Sequence, residues 1–492
     1  MGSPHAVVLI AYLLLLLAVG AWKTRTVRTQ ADFSLAGRGL GTTVLAGTLL
    51  ATWIGTGSVF GNAQKGYQDG LAAFVLPLSS AVGIAVLFLL AARIRRLEHF
   101  TIQDILEQRF GVPARLLGTL ALLGGYLIIV SYQYRAGAAV LEYLWPDLRS
   151  VPDPVSGEAP TSALAICVVA AFVILYTALA GMISVAYTDV ANGLLMALGL
   201  ALALVLVVSS AGGASELLAA LPPEDRRLTA YSPARVVSYL LPAFLLILGD
   251  ANMYQRFFSA RDERTARHAV LGMFAGVLLL DWMIIALAVG CAALVAQGVV
   301  APPANPAHAI VHVAFEVLPA GLGALLCATV VAVVVSTADS YLLSPATSLV
   351  RDVYQRFLRP AASEAELVTV ARGAVVLLGL TALLLAFQAS SFFEVALFAY
   401  TLYGAAITPP LLAALFWKGA TPAGALASMV TGLVTAICWE VHLGDWVVER
   451  SGDGPLAEVL AHLDAALPAV CVSVAALVLV SLCTNPRAAT AT

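Results

Sequence analysis

The chain has 492 residues, 61% of them hydrophobic and 11% charged, with a mean hydropathy of +0.92. Soluble domains carry about 25% charged residues, so this composition excludes a soluble globular enzyme and indicates a polytopic membrane protein. The formal net charge of −3 offers no basic surface for nucleic acid. The six cysteines lie in apolar runs without CxxC spacing and read as small buried hydrophobes.

A membrane-crossing helix needs about 20 apolar residues, and about thirteen such stretches follow one another along the chain. They run approximately over 5–22, 42–62, 71–92, 115–143, 161–181, 185–210, 236–256, 268–296, 319–345, 366–388, 391–417, 422–441 and 464–483. The first has no basic segment ahead of it and is followed by Lys23, Arg25 and Arg28, the pattern of an uncleaved span rather than a removable leader. Arg93/Arg95/Arg96, Arg261/Arg264/Arg267 and Arg351/Arg356/Arg359 fall in connections of the same parity as that first basic cluster. Positive loops stay inside, so the expected topology has the N-terminus outside and the short tail after Thr484 inside. The opposite loops, 146–160, 211–235, 297–318 and 442–463, are longer and richer in Pro, Gly and acid.

Two spans read as interrupted. The second carries Thr52-Trp53-Ile54-Gly55-Thr56-Gly57-Ser58, and the seventh carries Pro242 followed by Gly249-Asp250-Ala251-Asn252. Discontinuous helices in corresponding positions point to a transporter built from two inverted repeats, with its site at their interface. The alternative is that the glycines only permit close helix packing. In the ninth span an apolar run leads into Ser336-Thr337-Ala338-Asp339-Ser340. An acid and three hydroxyls at membrane depth read by default as a functional site, and oxygen is the donor that a hard cation such as Na⁺ takes. The alternative for the hydroxyls is a bond back to the carbonyl one turn earlier.

Five pieces in order resemble the sodium:solute symporter family over nearly the whole chain. They are Leu35-Ala36-Gly37-Arg38, Ala51 to Ser58, Gly181 to Asp189, Tyr254-Gln255-Arg256-Phe257 and Ser336 to Ser340. The resemblance implies an all-α, LeuT-type fold with a 5+5 inverted repeat and about thirteen transmembrane helices in one transporter domain. The extra first helix would be 5–22, the repeats 42–210 and 236–417, and two peripheral helices 422–483. It also implies Na⁺-coupled import of a small organic solute across the cell membrane by alternating access, without an organic cofactor. A solute sensor is the other reading; the tail after Thr484 leaves no room for a fused signalling domain.

Carried over residue by residue, the family's common Na⁺ site would use the carbonyls of Ala51, Ile54 and Val333 and the hydroxyls of Ser336 and Thr337. A second Na⁺ site, present in some members, would use Asp189, Ser336, Asp339 and Ser340, with an acid at 339 where those members have a hydroxyl. Two carboxylates there could not both be charged cheaply without a cation between them, which favours a second cation or a proton shared between the two acids over an empty pocket. The other reading of Asp189 is a helix N-cap before an apolar run. Solute would lie beside the broken spans, near Trp53, Ser58, Gln64, Asp250 and Tyr254, with Gln133 and Tyr134 from the fourth span and Glu394 and Tyr403 from the eleventh. Trp53 following Ala51-Thr52 resembles the choline-transporter branch, whose tryptophans hold a quaternary ammonium by cation–π attraction. Asp250 stands where that branch has another cage tryptophan, and an acid or amide there also occurs in sugar-carrying members. Asp281, Arg135 and Glu142 are mid-span charges that pair internally or line a vestibule. Gly37 to Gly41 follows no strand and is not a phosphate loop. His308 and His312 share a helical face but lack a third metal ligand. No catalytic constellation stands out, and the chain reads as a non-enzyme.

Overall fold

The computed structural model describes residues 4–24, 27–148, 161–388, 392–450 and 463–485. The expected long loops at 146–160 and 442–463 fall largely outside that set, as does the tail beyond Asn485. The long elements are α1 (Pro4–Thr24), α2 (Thr42–Trp53), α3 (Pro77–Arg96), α4 (Val112–Leu144), α5 (Ala163–Ser210), α6 (Pro233–Gly249) and α7 (Ala251–Ser259). They continue with α8 (Glu263–Ala296), α9 (Ala320–Ser348), α10 (Glu364–Ala386), α11 (Phe392–Phe416), α12 (Pro422–Cys438) and α13 (Ala466–Thr484). Several begin at a side chain suited to capping. Ser162, Asp262, Ser363 and Thr421 each accept a backbone N–H of the first turn.

Among the described residues, eleven helices are long and apolar enough to cross a membrane, or up to twelve if the bent pair Thr42–Trp53 and Gly57–Val75 is one span. This is fewer than the sequence suggests, and α5 supplies one reason. It is 48 residues long, but Gly181 inside it has φ 60 and ψ 175, a kink at which two helical stretches meet. A straight helix of that length would reach about 72 Å, more than twice a hydrocarbon core of about 30 Å. The stretches 161–181 and 185–210 meet at this glycine. No other residue fits, because a Cβ there would lie 3.0 Å from the Phe33 ring and 3.3 Å from its carbonyl oxygen.

Both expected interruptions are present. α2 stops at Trp53, Ile54 is extended (φ −73, ψ 100), and the chain resumes as a wide helical turn over Gly57–Asn62, bent by 52° from α2. α6 and α7 are separated by Asp250, also extended (φ −63, ψ 114). The far ends of α2 and α7 are tied together. Leu40 N donates to Ser259 O (3.1 Å) and Arg261 N donates to Leu40 O (3.0 Å), forming the isolated parallel bridge between Leu40 and Ala260.

α9 is the central post, packed against α1, α4 and α5. Every residue from Leu326 to Ser348 is buried, which explains why its sequence shows no polar stripe: a helix apolar all round is enclosed on every side. α1 and α13 are peripheral, with 28% of their spans buried against 78% for α9.

The arginine-rich end of the bundle is sewn by charge. Buried Arg115, on the first turn of α4, pairs with Asp104 (2.5 Å), Glu107 and Asp352, and Arg356 adds a bond to Glu107 (2.7 Å). Burial works against the Asp104 carboxylate, but the N–H groups of Phe100 and Thr101 and the Arg115 guanidinium outweigh it and hold Asp104 below the usual carboxylate range.

Candidate functional site

The break after α2 frees backbone oxygens that a continuous helix would use internally. α9 brings two hydroxyls to them. Thr337 Oγ1 lies 3.4 Å from Ala51 O and 3.2 Å from Ile54 O, and Ser336 Oγ lies 3.5 Å from Ala51 O. Several other buried hydroxyls bond back along their own helix: Thr52 to Thr48 O, Thr177 to Val173 O, Thr347 to Leu343 O, and Ser340 to Ser336 O. Ser336 and Thr337 instead reach across to α2. The spacing is informative. A hydroxyl–carbonyl hydrogen bond settles near 2.7–2.8 Å, whereas a hard cation bound at about 2.3–2.6 Å, as Ca²⁺ is, sets neighbouring ligands of an octahedron about 3.3–3.7 Å apart. The four oxygens therefore suit a cation of Na⁺ size better than one another. Val333, whose carbonyl completes the expected set, is buried one turn earlier on α9. Gly55 is required beside them, since a Cβ would meet Thr337 Cγ2 at 2.8 Å and Oγ1 at 3.0 Å.

Asp189 does not cap a helix. It lies two turns beyond Gly181 inside α5, fully buried, where Ser336 Oγ donates to one carboxylate oxygen and Thr48 Oγ1 to the other (2.5 Å). Its counter-charge is Arg256 of α7, which is also fully buried, with Nη2 3.7 Å from Asp189 Oδ2 and 2.6 Å from Ser340 Oγ. Arg256 Nε further donates to Thr48 Oγ1 (3.0 Å). Asp339 points elsewhere and accepts from Thr177 Oγ1 on the other half of α5 (2.5 Å). The structure thus gathers Asp189, Ser336 and Ser340 around the Arg256 guanidinium, while Asp339 stands apart from them with Thr177 as its partner. Arg256 was visible in the sequence as part of Tyr254-Gln255-Arg256-Phe257, but nothing in its spacing named Asp189 as its partner.

The expected solute residues divide. Trp53 and Ser58 line a small cavity of about 50 Å³ beside the α2 break, together with Asn62, Asp281, Phe393 and Tyr400. Gln133 lies against the break, where its Oε1 accepts from Thr56 Oγ1; its Nε2, like Asn252 Oδ1 and Nδ2 next to the α6–α7 break, is buried with no hydrogen-bond partner. Such orphaned groups at both breaks are what a polar ligand would satisfy. Asp250, by contrast, is saturated. It accepts from Asn252 N (2.7 Å), Met253 N (3.1 Å), Tyr126 Oη (3.1 Å) and Tyr341 Oη (2.9 Å), which makes it a buried cap. Tyr254, Tyr403 and Tyr134 spend their hydroxyls on the carbonyls of Leu248 (3.1 Å), Gly249 (2.9 Å) and Gly379 (3.5 Å). Gln64 is half-buried away from the cavity, and Glu394 is exposed; its neighbour Phe393 is the one that turns inward. Arg135 stacks over the Phe392 ring at 5.6 Å. His312 bonds Ala301 O (2.8 Å), and no group of three or more His, Cys, Asp or Glu suited to a metal occurs among the described residues.

The model of the sodium:solute symporter family matches residues 33–432. The high-affinity proline transporter PutP of Bacillus subtilis is 26% identical over 460 residues, covering 88% of this chain and 92% of that protein. The human high affinity choline transporter 1 is 28% identical over 455 residues, covering 88% of this chain and 76% of that protein. In three dimensions the chain superposes on a substrate-bound, outward-open Na⁺-coupled sialic acid symporter with a TM-score of 0.82 at 19% identity, over 99% of this chain and 98% of the other. With broken helices facing an oxygen-rich post, and with a family match over most of its length, this multi-pass membrane protein belongs to the sodium:solute symporter family and has its LeuT-type fold.

Proposed function

We propose that the coupling Na⁺ binds between the carbonyls of Ala51, Ile54 and Val333 and the hydroxyls of Ser336 and Thr337, and that a small organic solute binds between the breaks of α2 and α6–α7. The convergence of four oxygens from two helices at cation-shell spacing carries the reading. An ion there joins α2 to α9 and stabilises the outward-open arrangement. Parting of the two helices removes Ser336 and Thr337 from the shell and releases it inward. One charge moving down the membrane potential supplies about 2.3 kcal/mol per 100 mV, enough to concentrate a neutral solute about fiftyfold per 100 mV. The orphaned amides of Gln133 and Asn252 are its polar partners.

The topology that goes with this counts α5 as two spans parted at Gly181 and the bent pair as one, which gives thirteen from the eleven helices. The inverted repeats are then 42–210 and 236–417, with 5–22 and 422–483 peripheral, the N-terminus outside and the arginine-rich end inside. Asp189 and Arg256 form an internal ion pair, and a second Na⁺ at Asp189, Asp339 and Ser340 would have to displace the guanidinium. Uptake into proteoliposomes under an imposed Na⁺ gradient tests these points together. Solute accumulates only with the inward gradient, Ser336→Ala abolishes accumulation at low Na⁺, and the Na⁺ Hill coefficient stays near one. Gradient-independent uptake would overturn the symport reading, and a Hill coefficient near two that Asp189→Asn lowers would restore the second site.

A further inference from the structure

We infer that Asp281 of α8 is the recognition group for a positively charged amine on the transported solute. This rests on the symport reading and names the class of its cargo. Asp281 is 2% exposed, and its Oδ1 is buried with no hydrogen-bond partner. Ser58 and Asn62, from the turn that follows the α2 break, hydrogen-bond the carboxyl group but leave that oxygen open. No lysine or arginine pairs with it among the described residues, whereas the buried acids Asp189 and Asp352 each have a guanidinium. Asp250, by contrast, is saturated by four donors. A buried carboxylate left short of partners is costly unless a ligand completes it.

The walls of the cavity suit a cation. Asp281 faces it together with Trp53, Phe393 and Tyr400, and aromatic faces around an acid attract an ammonium by cation–π interaction as well as by charge. Gly57 lets Tyr400 close in, since a Cβ there would stand 2.6 Å from the Tyr400 hydroxyl. The ring of Phe393 already holds one ammonium at such range: Lys65 Nζ lies 5.2 Å from its centroid. A volume of about 50 Å³ admits an ammonium head and its nearest carbons, while whole-ligand pockets span about 300–1,000 Å³. The remainder of the solute therefore extends from the head toward the two helix breaks, where Gln133 and Asn252 wait. An acid at this position repels solutes whose only charge is a carboxylate.

Thermal-shift and binding titrations on the purified full chain in Na⁺ test this with matched pairs of probes: proline against cyclopentanecarboxylate, and choline against 3,3-dimethylbutanol. The expected result is stabilisation by at least one amine and none by its amine-free partner. Asp281→Asn should weaken that amine about 10- to 100-fold, Asp281→Glu should recover part of the loss, and the response to Na⁺ alone should be unchanged in both. Equal binding of an amine-free partner, no response to either amine, or full affinity in Asp281→Asn would each overturn the proposal. If the amine binds through Asp281 but uptake ignores the Na⁺ gradient, it is the symport reading that fails while this one stands.

Discussion

Replacing Thr337 by Val and by Ser separates the two things its side chain does. Valine keeps the shape and swaps Oγ1 for a methyl, so the carbonyls of Ala51 and Ile54, now 3.4 and 3.2 Å from that hydroxyl, lose their partner in the ion shell. A hydrogen bond or ligand to a charged group is worth about 1.5–3 kcal/mol, which corresponds to a Na⁺ affinity about 10- to 100-fold lower. Serine keeps the ligand and deletes Cγ2, the atom packed against Gly55; one lost methyl costs about 0.5–1.5 kcal/mol of stability and leaves Na⁺ affinity nearly intact. The two variants should therefore rank in opposite orders. Melting the purified protein in K⁺ reports packing, with Val above Ser. The added stability in Na⁺ reports the ligand. At Na⁺ equal to about 100 Kd the native protein gains about 2.7 kcal/mol, and a variant weakened about thirtyfold gains only about 0.9 kcal/mol. If Val keeps the Na⁺ response and Ser loses it, Oγ1 is not a ligand and the site has been misplaced.

Two further outcomes follow from groups the structure assigns to architecture. Asp250→Ala removes a helix cap and strands the hydroxyls of Tyr126 and Tyr341, so stability should fall by about 2–4 kcal/mol with no change in the preference among bound solutes; a stable variant with altered preference would return Asp250 to the solute site. Gly181→Ala places a Cβ in a backbone conformation open essentially to glycine alone, at a cost of about 1–3 kcal/mol, and against the Phe33 ring as well. Phe33→Ala in that background should recover the steric part of the lost melting temperature and leave the backbone part, and complete recovery would show that Gly181 is not held at positive φ.

What the sequence revealed best were features confined to one segment. Glycines and hydroxyls at membrane depth announced the α2 break because they are poor helix residues in a place where the backbone has nowhere else to bond. The Ser336–Ser340 cluster stood out because lipid-compatible residues surround it. The partition within that cluster was not legible: Ser336 and Thr337 face α2, Ser340 faces Arg256 and Asp339 faces Thr177, a division set by which neighbours surround α9. Asp250 and Asp281 show the same limit. Each is a lone acid in an apolar run, yet one finds two tyrosines from α4 and α9 and the other finds no basic partner. Only packing tells them apart. The thirteen stretches read from the sequence exceed the eleven long apolar helices among the described residues partly because a single glycine, Gly181, turns the chain between two of them.

The bridge between Leu40 and Ala260 bears on how the molecule divides when it changes shape. Two backbone hydrogen bonds there fasten the start of α2 to the end of α7, and Arg95 Nε reinforces the join by donating to Ala260 O (2.6 Å). Those two helices consequently travel together at that end, while Asp189 on α5 and Ser336 and Thr337 on α9 belong to the opposing body. The parting surface then runs through the oxygens that surround the ion and between Arg256 and Asp189. On the proposed ion site, Na⁺ would be a removable rivet across that seam, and the buried pair of Arg256 and Asp189 beside it a latch that opens on the same stroke.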